Sequence, residues 1–224
     1  MSATSSRSAA KAFTLLEVLV VGIVLLILLM ITVPTFDRRP QRAWVVHCAN
    51  NLRQINLALQ VFASDHGDRF PSQVSLTNGG SMEMIAAGSP APHFQTLSNE
   101  VPTPKVWICP TDKAKHVATS YVGLNNTNVS YFLSVDLQPT NTPPSFTFLA
   151  GDRHLQTGGT PVKPGLFLLT TNASIAWTRE LHGNMNPPGG NIVFLDGHTE
   201  FLTNHRLGPI IRNQGIPTNR LAVP

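Results

Sequence analysis

The chain has 224 residues, with 16 Lys or Arg against 12 Asp or Glu and a formal charge of +4 at pH 7. Only 12% of residues are charged, whereas 18 are Pro and 16 are Gly, which argues against a helical bundle and for a loop-rich head containing β-structure. No Lys/Arg stripe with interleaved aromatics is present, so the basic balance implies no nucleic-acid partner. No Gly-x-Ser-x-Gly elbow, phosphate-cradling Gly loop or Rossmann fingerprint marks the chain as an enzyme.

Residues 1–12 are rich in Ser and Ala, carry Arg7 and Lys11, and read as a disordered leader. From Phe13 to Val33 there are 21 residues, among which Glu17 is the only ionisable side chain. As a helix that run measures about 31 Å, close to one hydrocarbon core. A lone carboxylate there is expensive and predicts a function and a partner. The basic residues ahead of the run predict a cytoplasmic N-terminus with the bulk of the chain outside, although Arg38, Arg39 and Arg42 behind it weaken the asymmetry.

The order Lys11-Ala12-Phe13-Thr14-Leu15-Leu16-Glu17 before an apolar helix resembles the class III signal of type IV prepilins and type II secretion pseudopilins. The resemblance implies that a membrane prepilin peptidase cuts between Ala12 and Phe13 and methylates the new terminus at Phe13. It also implies that Glu17 pairs with that ammonium, within one chain or across two stacked subunits. Ala12 replaces the Gly usual in the family, and Pro34 sits where many pilins carry a helix-bending proline.

Pro34 and Pro40 are expected to kink or break the helix. Beyond them Val45, Cys48, Leu52, Ile55, Leu59 and Phe62 recur at three- and four-residue steps, giving one apolar stripe that predicts packing on the protein's own head. Gly67 is the expected left-handed cap, and Pro71 forbids continuation. The run from Cys48 to Pro71 looks like a large bacterial group of pseudopilin-like proteins, whose other marks are a Cys-Pro-x-Asp loop and a C-terminal His…Asp-Gly motif. Both are here, as Cys109-Pro110-Thr111-Asp112 and as His182 followed by Asp196-Gly197. The spacer after His182 has 13 residues where the group usually has nine, so a loop insertion around Asn184–Pro188 is expected.

Within 72–104, Met82–Ala87 and Phe94–Leu97 are expected as helical turns. Strands are expected at Val106–Cys109, Val129–Val135, Phe146–Ala150 and Leu166–Thr170. Asn191–Leu195 and His198–Leu202, joined by Asp196-Gly197, predict a hairpin with a tight turn at positive φ. The tail from Gly208, with Pro209, Pro217 and Pro224, is expected to be irregular.

Cys48 and Cys109 are the only cysteines. A disulfide between them and a pair of buried free thiols are both open readings. Asp152, His154, His182, Asp196 and His198 contain two Asp-x-His pairs and one further His, but not the spacing of structural zinc. The structural reading takes Asp196 as a turn residue and Asp152 with Arg153 as a salt-bridged corner. No metal or other cofactor is expected; an ion at those five residues is the lesser alternative, and calcium is a separate one for which no six-oxygen loop is visible.

These readings predict an α+β, type IV pilin-like protein: a long N-terminal helix, membrane-spanning in its first half, packed in its second half on an antiparallel β-sheet head. Residues 1–12 are the leader, 13–34 the transmembrane or filament-core helix, 35–66 its amphipathic continuation and 67–224 the periplasmic head with His182, Asp196, Gly197 and His198. The resemblance implies a non-enzymatic subunit of a pilus-like or pseudopilus filament. Before assembly it would be held in the inner membrane as a single pass, N-terminus cytoplasmic and head periplasmic. Implied partners are the prepilin peptidase, other pilin subunits, the inner-membrane assembly platform and lipid, with no nucleic acid. A membrane-anchored binding module that never polymerises and an anchored metal-dependent hydrolase remain as alternatives.

Overall fold

A computed structural model describes residues 13–32, 40–139, 146–182 and 185–224. Ala12 with the rest of the leader, Pro34, Arg38, Arg39, Gly183 and Asn184 lie outside the described residues. The chain forms two compact units, 1–40 and 41–224.

In the first unit, helix α1 runs over Leu15–Thr32. Its start is fixed by a reciprocal cap. Thr14 Oγ1 accepts a hydrogen bond from Glu17 N (3.3 Å), and Glu17 Oε2 accepts from Thr14 N (2.9 Å) and Thr14 Oγ1 (3.0 Å). The Thr-x-x-Glu spacing in the sequence is the signature of this box. At 1.5 Å per residue α1 is about 27 Å long. No helix among the described residues is long and apolar enough to cross a membrane. The segment expected to span reaches past both ends of α1, with Phe13 and Thr14 before it and 33–34 outside the described residues.

Helix α2, Pro40–Asp65, carries all but its first residue in the second unit. Pro40 starts the helix, where its missing N–H leaves no bond unmade, and so it does not kink the interior. The stripe Cys48, Leu52, Ile55, Leu59 and Phe62 is buried in one cluster with Tyr131, Leu133, Leu149, Val193 and Leu195 of the sheet. Helix α2 ends in a Schellman cap: Gly67 has φ 65°, and Asp68 N donates to Ala63 O at 2.9 Å. Met82–Ala87 is a 3-10 turn and Ala91–Gln95 a short helix, α3.

A six-stranded antiparallel sheet carries the head, in the order β5-β9-β1-β2-β7-β8. Its strands are β1 (Tyr131–Ser134), β2 (Phe148–Asp152), β5 (Gly165–Thr170), β7 (Gly189–Phe194), β8 (Thr199–Thr203) and β9 (Thr218–Val223). A second sheet has the order β4-β3-β6, with β3 Leu155–Thr157, β4 Thr160–Pro161 and β6 Ile175–Trp177. Alternation along the strands splits the core. Tyr131 and Leu133 join the α2 cluster, whereas Phe132, Phe148, Ile192 and Phe194 join a second cluster with Leu207, Ile210 and Ile211 of helix α4, Asn204–Arg212. The expected α+β architecture, a helix and an antiparallel sheet head, is the one observed.

Three local expectations are corrected. Val106–Cys109 is not a strand: Pro104–Trp107 is a 3-10 turn capped by Thr103, and Val106, Trp107 and Cys109 are all buried, so nothing selects a two-residue period. The tail from Gly208 is not irregular, because Leu207, Ile210 and Ile211 make a buried helical face and β9 pairs with both β5 and β1. Pro217 and Pro224 bracket that strand without interrupting it. The β7–β8 hairpin forms with Val193 opposite Thr199, but its turn is wider than the two-residue form. Gly197 N donates to Phe194 O (2.9 Å), Phe194 N to His198 O (3.0 Å), and only Gly197, at φ 88°, takes the left-handed region.

Candidate functional site

Two places carry chemistry. The first is the start of α1. Phe13 is exposed and Glu17 lies one helical turn on, its carboxylate turned back to the Thr14 N–H. Around and beyond it Leu15, Leu16, Val18, Val20, Val21 and Val24, which go right round the helix, all remain exposed, so α1 turns an apolar surface outward on every side.

The second lies inside the head, where four segments converge. Helix α2 brings Cys48, the loop after the Pro104 turn brings Cys109, β2 ends on Asp152, and the bend before β7 brings His182. Cys48 and Cys109 are joined as a disulfide with Cα atoms 5.3 Å apart. One sulfur, oxygen or nitrogen of each of Cys48, Cys109, Asp152 and His182 lies within 4.8 Å of the others, and all four residues are buried. Asp152 Oδ2 accepts from Asn191 N (2.6 Å) and Asn191 Nδ2 (3.2 Å) and sits 3.1 Å from His182 Nε2. His182 has φ 26°, a conformation rare for a residue with a Cβ. Asp152 Oδ1 and His182 Nδ1 are buried with no hydrogen-bond partner among the described residues.

Beside this cluster Arg153 grips Asp112 through two bonds, Nε–Oδ2 at 2.7 Å and Nη2–Oδ1 at 2.9 Å, and also contacts Glu180. Burial acts to raise the Asp112 pKa, but the bonds and charge of Arg153 outweigh it and hold the carboxyl below its usual value. The expected Asp152–Arg153 corner is corrected in its pairing: Asp152 ends β2 and meets His182 and Asn191, whereas Arg153 lies in the bend after the strand and bridges Asp112 and Glu180. His154 is not in the four-residue group but borders it: its ring lies 6.0 Å from that of His182 and 4.9 Å from Trp177, its Nε2 is 3.3 Å from Gly189 O, and burial pushes its pKa down to about 4. Asp196 and His198 are at the hairpin tip, half-exposed and bonded to each other, with the His198 ring stacked on Phe194 at 4.2 Å. Of the five residues set out as a metal alternative, only Asp152 and His182 meet in the four-residue group.

No family model and no solved structure matches the chain. The ComG operon protein 3 homologue of Bacillus licheniformis is 31% identical over 70 residues, a stretch covering 31% of this chain and 72% of that protein. The chain belongs to the family of ComG operon protein 3. Membership agrees with the pilin-like class that the N-terminal motif resembles.

For a ComG operon protein 3 family member with this head, the sequence left three partners unnamed. Asn191 holds Asp152 through its backbone and its side chain. Asp112 of the Cys-Pro-Thr-Asp loop is the anion of Arg153. The cysteines sit against the Asp152–His182 pair. The motifs named each segment, but only the fold brings them together, through the disulfide, the Arg153 ion pair and one strand register. The Ile192–Gly151 register sets Asn191 beside Asp152.

Proposed function

We propose that this protein is a structural, pilin-like subunit that docks with other subunits through α1 and is not an enzyme. The observation that carries the reading is the α1 surface: apolar all round, exposed, and interrupted by one carboxylate at its first turn. Such a helix is stable only when lipid or other apolar helices surround it. The same logic supports the inner membrane as its place before assembly, with Phe13 and Val33 lengthening the apolar run beyond α1.

In this reading prepilin peptidase cuts after Ala12, exposing an ammonium on Phe13 that is costly at low dielectric unless paired. Glu17, held near the helix start by Thr14, accepts the Phe13 ammonium of a neighbouring subunit, and that pairing sets the axial register. Association in lipid then comes from packing and polar pairing, because lipid tails are as apolar as Leu. Glu17→Leu loses the paired charge and the cap together, so it abolishes filaments while the protein stays in the membrane fraction.

The test is mass analysis of the N-terminus of protein extracted from cells, with imaging of sheared surface fibres. N-methyl-Phe at residue 13 and fibres containing the chain support the proposal. A processed chain that never enters fibres identifies an anchored binding module instead. A chain that retains residues 1–12 overturns it.

A further inference from the structure

Beyond the filament role, the head holds a group of side chains that a disulfide does not explain. A disulfide is apolar and asks for neither a carboxylate nor an imidazole beside it. Asp152 is nevertheless fully buried in contact with His182, in a region otherwise built from Leu52, Tyr131 and Leu181. Burying a carboxylate costs several kcal/mol unless it is compensated, and here only Oδ2 is met, by Asn191 and His182. The neighbouring cation, Arg153, is spent on Asp112 and Glu180. Asp152 Oδ1 and His182 Nδ1 are both unmatched among the described residues. Two thiols, one carboxylate and one imidazole are the donor set of a tetrahedral, borderline-soft divalent cation such as Zn²⁺.

We propose that Cys48, Cys109, Asp152 and His182 bind a Zn²⁺-class ion in the dithiol form of the protein, and that the disulfide is the metal-free alternative of the same site. Donor atoms around tetrahedral zinc are spaced roughly 3.3–3.8 Å apart, given Zn–S near 2.3 Å and Zn–N or Zn–O near 2.0–2.2 Å. The four donors already lie within 4.8 Å of one another. Side-chain rotation that parts the sulfurs and draws in Asp152 and His182 completes the shell. Asn191 then serves as the outer residue that orients Asp152, through its backbone N–H and its amide.

Interconversion is a thiol–disulfide exchange with a partner disulfide of the oxidoreductase class. The two thiolates form the Cys48–Cys109 bond as the partner's S–S bond breaks. Two electrons pass to the partner, which takes two protons from solvent and leaves as a dithiol, and the ion departs with its oxidation state unchanged.

The test uses the full chain in mild detergent, reduced with a dithiol, stripped by a chelator and kept anaerobic. It is titrated with Co²⁺ as a spectroscopic probe and then with Zn²⁺. The expected result is a thiolate-to-cobalt charge-transfer band that saturates at one ion per chain, is displaced by Zn²⁺ and is absent from the oxidised protein. Zn²⁺ slows alkylation of the two thiols, and Asp152→Asn or His182→Gln weakens Zn²⁺ binding by about tenfold or more. Absence of the band, with alkylation indifferent to Zn²⁺, overturns the proposal on wild-type protein alone, whatever the variants do. Unchanged affinity in an Asp152→Asn/His182→Gln double variant overturns the four-ligand site.

Discussion

The Cys48–Cys109 bond closes a loop across a sequence separation of 61, and its removal can be given a magnitude. In the chain-entropy description, a loop of that length restricts the unfolded chain by about 4 kcal/mol at 25 °C. The perturbation is Cys48→Ala with Cys109→Ala, which leaves no polar group behind in the α2 cluster, compared with oxidised wild type in the presence of a chelator. Urea unfolding followed by tryptophan emission is a suitable assay, because Trp107 is fully buried in the same cluster as both cysteines. The double variant loses about 4 kcal/mol, a large part of the 5–15 kcal/mol typical of a folded domain. Its m value rises, since an unbridged denatured chain exposes more surface. A loss below about 1 kcal/mol with an unchanged m value would refute the reasoning, because the cross-link would then not be restricting the unfolded chain.

Removing Arg153 as Arg153→Met strands Asp112, which is nearly buried, and lowers stability by about 3 kcal/mol, readable as a shifted urea midpoint. His93 is fully buried against Ser81, and burial pushes its pKa down from 6.5 to about 4. The unfolded chain therefore takes up the proton first, and stability falls between pH 6.5 and pH 4 by up to about 3 kcal/mol from this residue. His93→Gln flattens that part of a stability-against-pH curve, leaving the share of His154, which acts in the same window. In Gly190→Ala the new Cβ falls 2.8 Å from the ring of buried Trp177, so overpacking costs about 1–3 kcal/mol and the thermal midpoint drops.

What was legible in the sequence had a local cause. The α2 stripe follows from a 3.6-residue period, its end from Gly67, and the β7–β8 hairpin from Asp196-Gly197 between alternating strands. The Thr14–Glu17 box was equally local, and its spacing alone gives it away. What stayed hidden depends on contacts distant in sequence. β9 is a strand because β1 and β5 flank it, while its own composition, bracketed by prolines, resembles a tail. Arg153 was expected at a corner with its sequence neighbour Asp152, but it lies in the bend after β2 and the anion it meets is 41 residues away. The buried cluster was out of reach for the same reason: its members come from four segments far apart in sequence, and only the folded head makes them neighbours.

These long-range contacts also explain why the motifs are spread as they are. Cys109 and Asp112 sit in one loop, with Cys109 bonded to α2 at Cys48 and Asp112 bonded to the end of β2 through Arg153. The Asp196-Gly197 turn meets the same helix elsewhere: a Cβ on Gly197 would lie 3.0 Å from Asn56 Nδ2, and its φ of 88° suits Gly. Cys48 and Asn56 are eight residues apart, about 12 Å along the helix. Helix α2 is thus fixed on the head at two separate points, one covalent to the Cys109 loop and one a close approach of the Gly197 backbone to the Asn56 side chain. A single contact would let an amphipathic helix rotate or slide by a turn on an apolar sheet face, but two contacts at that spacing remove both freedoms. The scattered motif residues therefore act together to set the angle and register of α2 against the head.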